Sequence, residues 1–222
     1  MTSSPPLKPP ATVGELLRRR LREIKRSPEE LAEAVAVPAQ YIDDLIAGSR
    51  RPPLPGKTDI YAKMTSFLRL RRNDVVSCAV AERAGATPVE GSGPGAEVRG
   101  LLLGLCEPRT ARALEQRRGR RASAELADLM QRLLEVAQGA VRRVLDDPIG
   151  MRLAAAERGS SYLDMRLKVL DFMDATADTL TVADLTEFVQ PRITRWDVDL
   201  ETGVLRVVLR GAGHRGRTTR TA

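Results

Sequence analysis

The stretch that decides the fold is SPEELAEAVAVPAQYIDDLIAGSRRP, at residues 27–52. Ser27 can cap a helix that has Pro28 at its first position and two glutamates in its first turn, where the helix dipole favours acids. Pro38 opens a second helix, and Gly48 ends it because glycine readily adopts the left-handed backbone found after helices. The stretch therefore predicts two short helices joined by a tight turn.

Each of the two predicted helices carries an apolar face. In the first helix Leu31 and Val35 fall on one side, and the second has a longer stripe made of Tyr41, Ile42, Leu45 and Ile46. Helices this short cannot bury such faces alone, so we expect them to pack within a small helical bundle.

The same region resembles the lambda-repressor-like (Xre/Cro-type) helix-turn-helix family over residues 13–85. The likeness rests on a basic helix at 13–25 and on three motifs: Ser27-x-x-Glu30-Leu31-Ala32, Val37-Pro38-x-x-Tyr41-Ile42 and Ala47-Gly48-Ser49-Arg50-Arg51-Pro52. The resemblance implies a five-helix domain that binds double-stranded DNA with its third helix in the major groove.

The resemblance also implies two sets of contact residues. Exposed positions of the third helix should face the base edges, namely Ala39, Gln40, Asp43 and Asp44. Cations of the first helix and residues at the helix ends should contact the sugar-phosphate backbone, namely Arg18, Arg19, Arg22, Lys25, Ser27, Ser49, Arg50 and Arg51.

Two departures from the family pattern leave a second interpretation open. Pro28 and Glu29 stand where family members usually carry a glutamine that contacts phosphate. Asp43 and Asp44 on the third helix would repel phosphates, or accept hydrogen bonds from cytosine amino groups, and Gln40 is the best base reader in the helix. The alternative is a helix-turn-helix fold that contacts another protein.

Charge is concentrated at two places in this 222-residue chain, whose formal net charge is +7. Residues 13–85 hold 14 Lys or Arg against 10 Asp or Glu, and residues 202–222 hold five Arg and no acid, whereas residues 97–201 hold 16 against 18. A polyanionic partner would therefore contact the two ends, unless the arginines are only solvated.

Several classes of protein are disfavoured by the composition. No apolar run approaches the roughly 20 residues of a membrane span, and Cys78 and Cys106 lack metal-ligand spacing, so we expect a cytoplasmic chain without membrane, metal or cofactor. The sole histidine, His214, lies in the basic tail, and the Gly56-Lys57-Thr58 motif has Arg51 where a phosphate-binding loop needs glycine. We therefore expect no enzymatic activity.

The pattern along the chain predicts a mainly α protein with two domains. Residues 1–12 read as a disordered N-terminus, 13–85 as the helix-turn-helix domain, 86–96 as a Gly/Pro/Ser linker, 97–210 as a second domain and 211–222 as a basic disordered tail. The first domain ends with helices at 58–70 and 73–85, the last with an apolar face made of Val76, Ala79 and Val80.

The second domain is predicted to be α-rich and to end in a β-hairpin. Long helices are expected at 123–145 and 161–178, and Asp171, Asp174 and Asp178 read as the solvated side of the latter. The alternation of Trp196, Val198 and Leu200 predicts a strand, followed by a three-residue turn at 201–203 and a second strand. The hairpin should pack its tryptophan face on helices or pair its edge with another chain.

These observations favour a sequence-specific transcriptional regulator associated with the nucleoid. The N-terminal domain would bind double-stranded DNA and the C-terminal domain would form a homodimer, receive a signal or bind a protein partner, because one such module contacts too few bases for useful specificity. The alternatives are a protein-interaction scaffold and an architectural DNA binder that uses its arginine-rich tail.

Overall fold

The structure, a computed structural model, describes residues 12–85, 95–117 and 120–210. These residues form eleven α-helices and one two-stranded antiparallel sheet. The expectations for the disordered N-terminus, the linker and the basic tail lie almost wholly outside the described residues. The helices are α1 (Val13–Ile24), α2 (Pro28–Val35), α3 (Ala39–Ala47), α4 (Ile60–Phe67), α5 (Asp74–Gly85), α6 (Ala96–Gly104), α7 (Pro108–Gln116), α8 (Arg120–Leu145), α9 (Pro148–Glu157), α10 (Tyr162–Asp174) and α11 (Val182–Asp184).

The remaining elements complete the C-terminal part of the fold. α11 continues into a π-helical turn at Leu185–Val189, and the strands are β1 (Ile193–Val198) and β2 (Leu205–Leu209). The prediction of a mainly α protein that ends in a β-hairpin is confirmed.

The chain divides into two compact units whose boundaries differ from the predicted ones. Among the described residues, 12–85 and 142–174 form the first unit, and 95–141 and 175–210 form the second. The expectation that 97–210 is one domain therefore misplaces α9 and α10. The sequence pattern predicts no helix at α9, because Asp146, Asp147 and Pro148 indicate only where the long helix ends.

The α2–α3 pair of the first unit forms as its sequence predicts. Ser27 accepts a hydrogen bond from the N–H of Glu30, whose carboxylate accepts from the N–H of Ser27, so both partners of a capping box are in place. Ala36 follows α2 with a φ of +60°, and Gly48 follows α3 with a φ of +76°. Each helix thus ends at a left-handed residue, and three residues, 36–38, separate α2 from α3.

The core of the first unit is mostly aliphatic. α1, α2 and α3 bury their inward side chains, and α4 and α5 add to the same core, with complete or nearly complete burial of Leu17, Leu31, Ile42, Ile60, Met64, Leu68 and Val75. α5 is rotated by about one residue from the predicted face: Val75 is buried, whereas Val80 is 52% exposed.

One glycine fixes how closely α1 and α3 approach. A Cβ atom on Gly14 would lie 2.4 Å from the carbonyl oxygen of Leu45 and 2.9 Å from that of Ile46. Both are backbone atoms at the end of α3, so no side-chain rotation can relieve the overlap. The position of α3 against α1 therefore requires glycine here.

Gly14→Ala is expected to destabilise the first unit by about 2 kcal/mol or more, because the two helices must separate to admit the methyl group. Gly139→Ala is the matched control. Gly139 is exposed within α8 and its added Cβ meets nothing within 4 Å, so helix propensity predicts a gain of about 1 kcal/mol. Urea unfolding followed by tyrosine fluorescence measures the first variant, since Tyr41, Tyr61 and Tyr162 all lie in the first unit. A neutral Gly14→Ala would contradict the close packing.

α10 is held to the rest of the first unit by a buried ion pair. The guanidinium of Arg166 is 1% exposed, bonds Oδ1 of Asp59 at 2.6 Å and donates to the carbonyl oxygen of Val35 at 3.3 Å. Asp59 also bonds Lys63 at 2.7 Å. Burial raises the pKa of Asp59, but the hydrogen bonds and charges of Lys63 and Arg166 outweigh it and hold that pKa below its usual value.

Asp59→Asn is expected to cost about 3 kcal/mol, because it leaves the buried Arg166 without an anion. Arg166→Met should cost less, because methionine fills much of the same volume and Asp59 keeps Lys63. Because the pKa of Asp59 is lower in the folded than in the unfolded protein, its ionisation stabilises the fold. This contribution is complete above the unfolded pKa of about 3.9 and is lost as the pH falls through the lower folded pKa.

Urea unfolding between pH 7 and pH 2 measures both effects. The wild type should lose stability on acidification more steeply than Asp59→Asn. If the free energy of unfolding fell equally steeply with pH in both proteins, Asp59 would not be stabilised by the ion pair.

The second unit packs the hairpin on helices through its tryptophan, as predicted. Trp196 is 1% exposed and its indole N–H donates to the carbonyl oxygen of Leu102 in α6 at 2.8 Å. The backbone of Trp196 also bonds Leu105 and Glu107, so β1 lies between β2 and this short segment. The outer edge of the sheet is therefore β2.

The loop of the hairpin is longer than expected. β1 ends at Val198, so Leu200 is not in the strand, and six residues separate the two strands. The carboxylate of Asp199 accepts hydrogen bonds from the N–H groups of Glu201 and Thr202, and this turn takes the chain out of the ladder two residues early. Gly203 closes the loop with a φ of +69°.

Candidate nucleic-acid interface

The outer face of α3 is open, as the predicted base-reading role requires. Ala39, Gln40 and Asp43 are exposed and Asp44 is half-buried, whereas Tyr41, Ile42 and Leu45 on the opposite face are at most 3% exposed. The four predicted base-reading residues therefore share the solvent side of one helix, whose other side is fixed in the core.

Asp44 organises the end of α3. Its Oδ1 accepts a hydrogen bond from Nε2 of Gln40 at 2.9 Å and another from the hydroxyl of Ser49 at 3.4 Å. The Nε of Arg50 lies 4.0 Å from its Oδ2. Asp44 thus neutralises part of the positive charge after α3, and Gln40 must exchange an intramolecular hydrogen bond for one to a base.

The two arginines after α3 are already engaged within the first unit. Arg50 pairs with Oδ1 of Asp171 in α10 at 2.5 Å and lies over the ring of Tyr41, 4.9 Å from its centroid. Arg51 donates to the carbonyl oxygen of Arg83 at 3.3 Å. Contact of Arg50 with phosphate would therefore compete with a carboxylate.

The expectation that the acids of α10 form a merely solvated face is wrong for two of them. Asp171 pairs with Arg50, and Asp174 accepts from the N–H of Leu54 at 2.9 Å and from Arg83 at 3.0 Å. Both acids hold the segment that leaves α3. No local pattern shows this, because the partners are more than 90 residues away in the sequence.

The cations of α1 fall into two groups. Arg18 donates to the carbonyl oxygen of Ile46 at 2.8 Å, and Arg19 lies 3.7 Å from Glu23 one turn along the helix. Arg22 and Lys25 are exposed and have no hydrogen-bond or ion-pair partner within the described part of the chain. Of the cations predicted to contact the DNA backbone, these two are the ones without such a partner in the described residues.

The N-terminus of α2 is occupied by its own side chains. The hydroxyl of Ser27, a predicted phosphate contact, accepts from the N–H of Glu30 at 3.3 Å. The backbone N–H of Ser27 and the guanidinium of Arg26 bond the Glu30 carboxylate, and these bonds hold the pKa of Glu30 below its usual value. A phosphate at this helix end would meet a carboxylate, in contrast to the family pattern.

Other kinds of site find no support in the described residues. They contain no group of three or more His, Cys, Asp or Glu side chains placed to hold a metal ion, and no helix with the length and apolarity needed to cross a membrane. Burial raises the pKa of Cys106 to about 12, so its thiol stays protonated at neutral pH.

The chain matches no protein-family model, no curated protein and no solved structure.

Proposed function

We propose that the chain is a sequence-specific DNA-binding regulator that reads the major groove with α3. The observation that carries the proposal is the α2–α3 pair: two capped helices separated by three residues, with the second helix buried on one side and open on the other. A helix presented in this way, beside exposed cations, suits the width of the major groove.

The unengaged cations at the end of α1 carry the backbone contacts in this proposal. Arg22 and Lys25 can bind phosphate without breaking any bond that the described residues make. Arg18, Arg19, Arg50 and Arg51 would first have to leave their present partners. We therefore assign the larger share of the affinity to the first two residues.

Arg22→Ala is expected to weaken binding to specific and random duplexes alike. Because one phosphate contact is lost, the slope of log affinity against log salt concentration should also become shallower by about one. Arg112→Ala, which removes the same charge from the exposed side of α7, should leave binding unchanged. Gln40→Ala should weaken the preferred sequence more than random DNA. Fluorescence anisotropy at several salt concentrations measures all three, and equal losses for Arg22→Ala and Arg112→Ala would contradict the assignment.

The second unit is assigned to dimerisation in the same proposal. β2 forms the outer edge of the sheet, and Val204, Val208 and Leu209 are 51%, 56% and 44% exposed. The N–H and C=O of Trp196 bond Leu105 and Glu107, on the side of β1 away from β2. Val207 lies opposite Trp196 on β2, so in this antiparallel pair the N–H and C=O of Val207 point away from β1, toward the outer edge of the sheet. A second copy can pair with this edge, and two copies would read two half-sites.

A second candidate function is a protein-interaction module built on the same two helices. The observation that favours it is Asp43, an exposed carboxylate at the centre of the open face of α3 with no partner among the described residues. A basic surface of another protein would suit this carboxylate, whereas phosphates would be repelled.

Asp43→Asn separates the two functions more cleanly than a change at Asp44, which holds the end of α3. If α3 reads DNA through Asp43, the variant should lose sequence preference and keep or gain affinity for random duplexes. Asp146→Asn, an exposed acid of the first unit, is the matched control. A strong gain on all duplexes with no change of preference would indicate that Asp43 opposes DNA and would favour the interaction module.

A further inference from the structure

A pocket lies in the first unit at the junction of α4 and α5. Its volume is about 550 Å³, within the range of roughly 300–1,000 Å³ that small-molecule sites occupy. None of its residues is among the predicted DNA contacts. It is lined by Gly56, Thr58, Tyr61, Ala62, Thr65, Ser66, Arg69, Leu70, Arg72, Asn73 and Val76.

The charged residues among those lining the pocket are both positive. They are Arg69 and Arg72, and no carboxylate is part of the lining. Within the described residues neither guanidinium has a hydrogen-bond or ion-pair partner, in contrast to Arg50 and Arg83 in the same unit. Arginine stays charged at any ordinary pH and its planar donors match the oxygens of a phosphate group.

Two hydroxyl groups of residues at the same pocket have no hydrogen-bond partner in the part of the chain that the structure describes. They belong to Thr58 and Thr65, and Thr65 as a residue is only 8% exposed. Both hydroxyl oxygens are inaccessible to solvent, so they lie behind the surface of the pocket and a ligand there would not bond them directly. Ser66 and Asn73 add further polar groups.

The backbone of Arg69 adds an independent observation. This residue has a φ of +52°, in the left-handed region where glycine is the relaxed choice. The turn ends α4 through hydrogen bonds from the N–H of Arg69 to Ser66 and from the N–H of Leu70 to Thr65. A glycine fits this turn without strain, as it would at Lys25 and Ala36, which end α1 and α2 in the same conformation.

The rest of the lining is apolar. Tyr61 contributes its ring, since its hydroxyl already donates to the carbonyl oxygen of Pro53, and Ala62, Leu70 and Val76 complete the wall. Asn73, just before α5, and Val76 in its first turn also line this region, while the carboxylate of Asp74 in the same turn accepts a hydrogen bond from the N–H of Arg71. The pocket therefore combines an anion-binding rim with an apolar wall.

We propose that this pocket binds a small phosphate monoester whose phosphate lies between Arg69 and Arg72 and whose apolar body packs against Tyr61 and Leu70. The pocket gives the first unit a ligand input that is separate from the α3 face. The proposal does not depend on DNA binding, because the ligand is measured on the protein alone.

Isothermal titration of the full chain with phenyl phosphate tests the proposal. One saturable site per chain is expected, with phenol and inorganic phosphate each binding at least tenfold more weakly. Arg72→Gln should lower the affinity for phenyl phosphate at least tenfold. Arg71→Gln is the control, because Arg71 carries the same charge one residue away and does not line the pocket. This variant should change the affinity for phenyl phosphate less than twofold.

Arg69→Gly separates loss of the site from loss of the fold. Glycine fits the left-handed turn, so the melting temperature of the ligand-free protein should stay the same or rise while the affinity for phenyl phosphate falls at least tenfold. Equal losses for Arg71→Gln and Arg72→Gln, or no saturable binding of phenyl phosphate, would overturn the proposal. Displacement of phenyl phosphate by random-sequence duplex DNA would overturn it as well, because the arginines would then contact the DNA backbone.

Discussion

The buried ion pair between Arg166 and Asp59 is the interaction on which the first unit depends. It joins α10 to the start of α4, and the same guanidinium bonds Val35 at the end of α2. A cation that is 1% exposed needs its anion in place, so α10 can dock in one position only. Three helices that are distant in sequence are thereby fixed together, and the position of α3 follows from theirs.

The docked α10 changes the electrostatics of the proposed DNA-binding surface. Asp171 and Asp174 approach the segment after α3, where they engage Arg50, Arg83 and a backbone N–H. Of the cations that the family resemblance assigns to phosphate contacts, Arg50 is thus paired with a carboxylate of α10. In the proposed function, steering of DNA by charge would therefore depend on Arg22 and Lys25 more than on net charge.

The features that follow from local chemistry could be predicted from the sequence. The capping box of Ser27, the end of α3 at Gly48 and the burial of Trp196 each depend on a short run of residues whose preferences are strong. The same holds for the solvent side of α3, because helical periodicity separates its polar positions from its apolar ones.

The features that depend on distant partners could not be predicted. α10 bonds residues more than 90 positions earlier in the chain, and an acid on an amphipathic helix has no local sign that distinguishes Asp171 from a solvated neighbour. The role of Arg50 cannot be predicted for the same reason, because its partner Asp171 lies on α10. Asp44 differs, because its partner Gln40 is four residues away on the same helix. On α5 the sequence predicts that Val76 is on the buried face, whereas the buried residue is Val75. The prediction fails there because the apolar residues of α5 do not form a clear stripe.

The central claim is that α3 reads DNA sequence, and selection of bound duplexes from a random pool by the full chain at physiological salt tests it most directly. The account predicts enrichment of a two-fold-symmetric motif with half-sites one helical turn, or a multiple of it, apart. Duplexes retained without any enriched motif would contradict base reading by α3. A chain that retains no duplex at all would contradict DNA binding altogether.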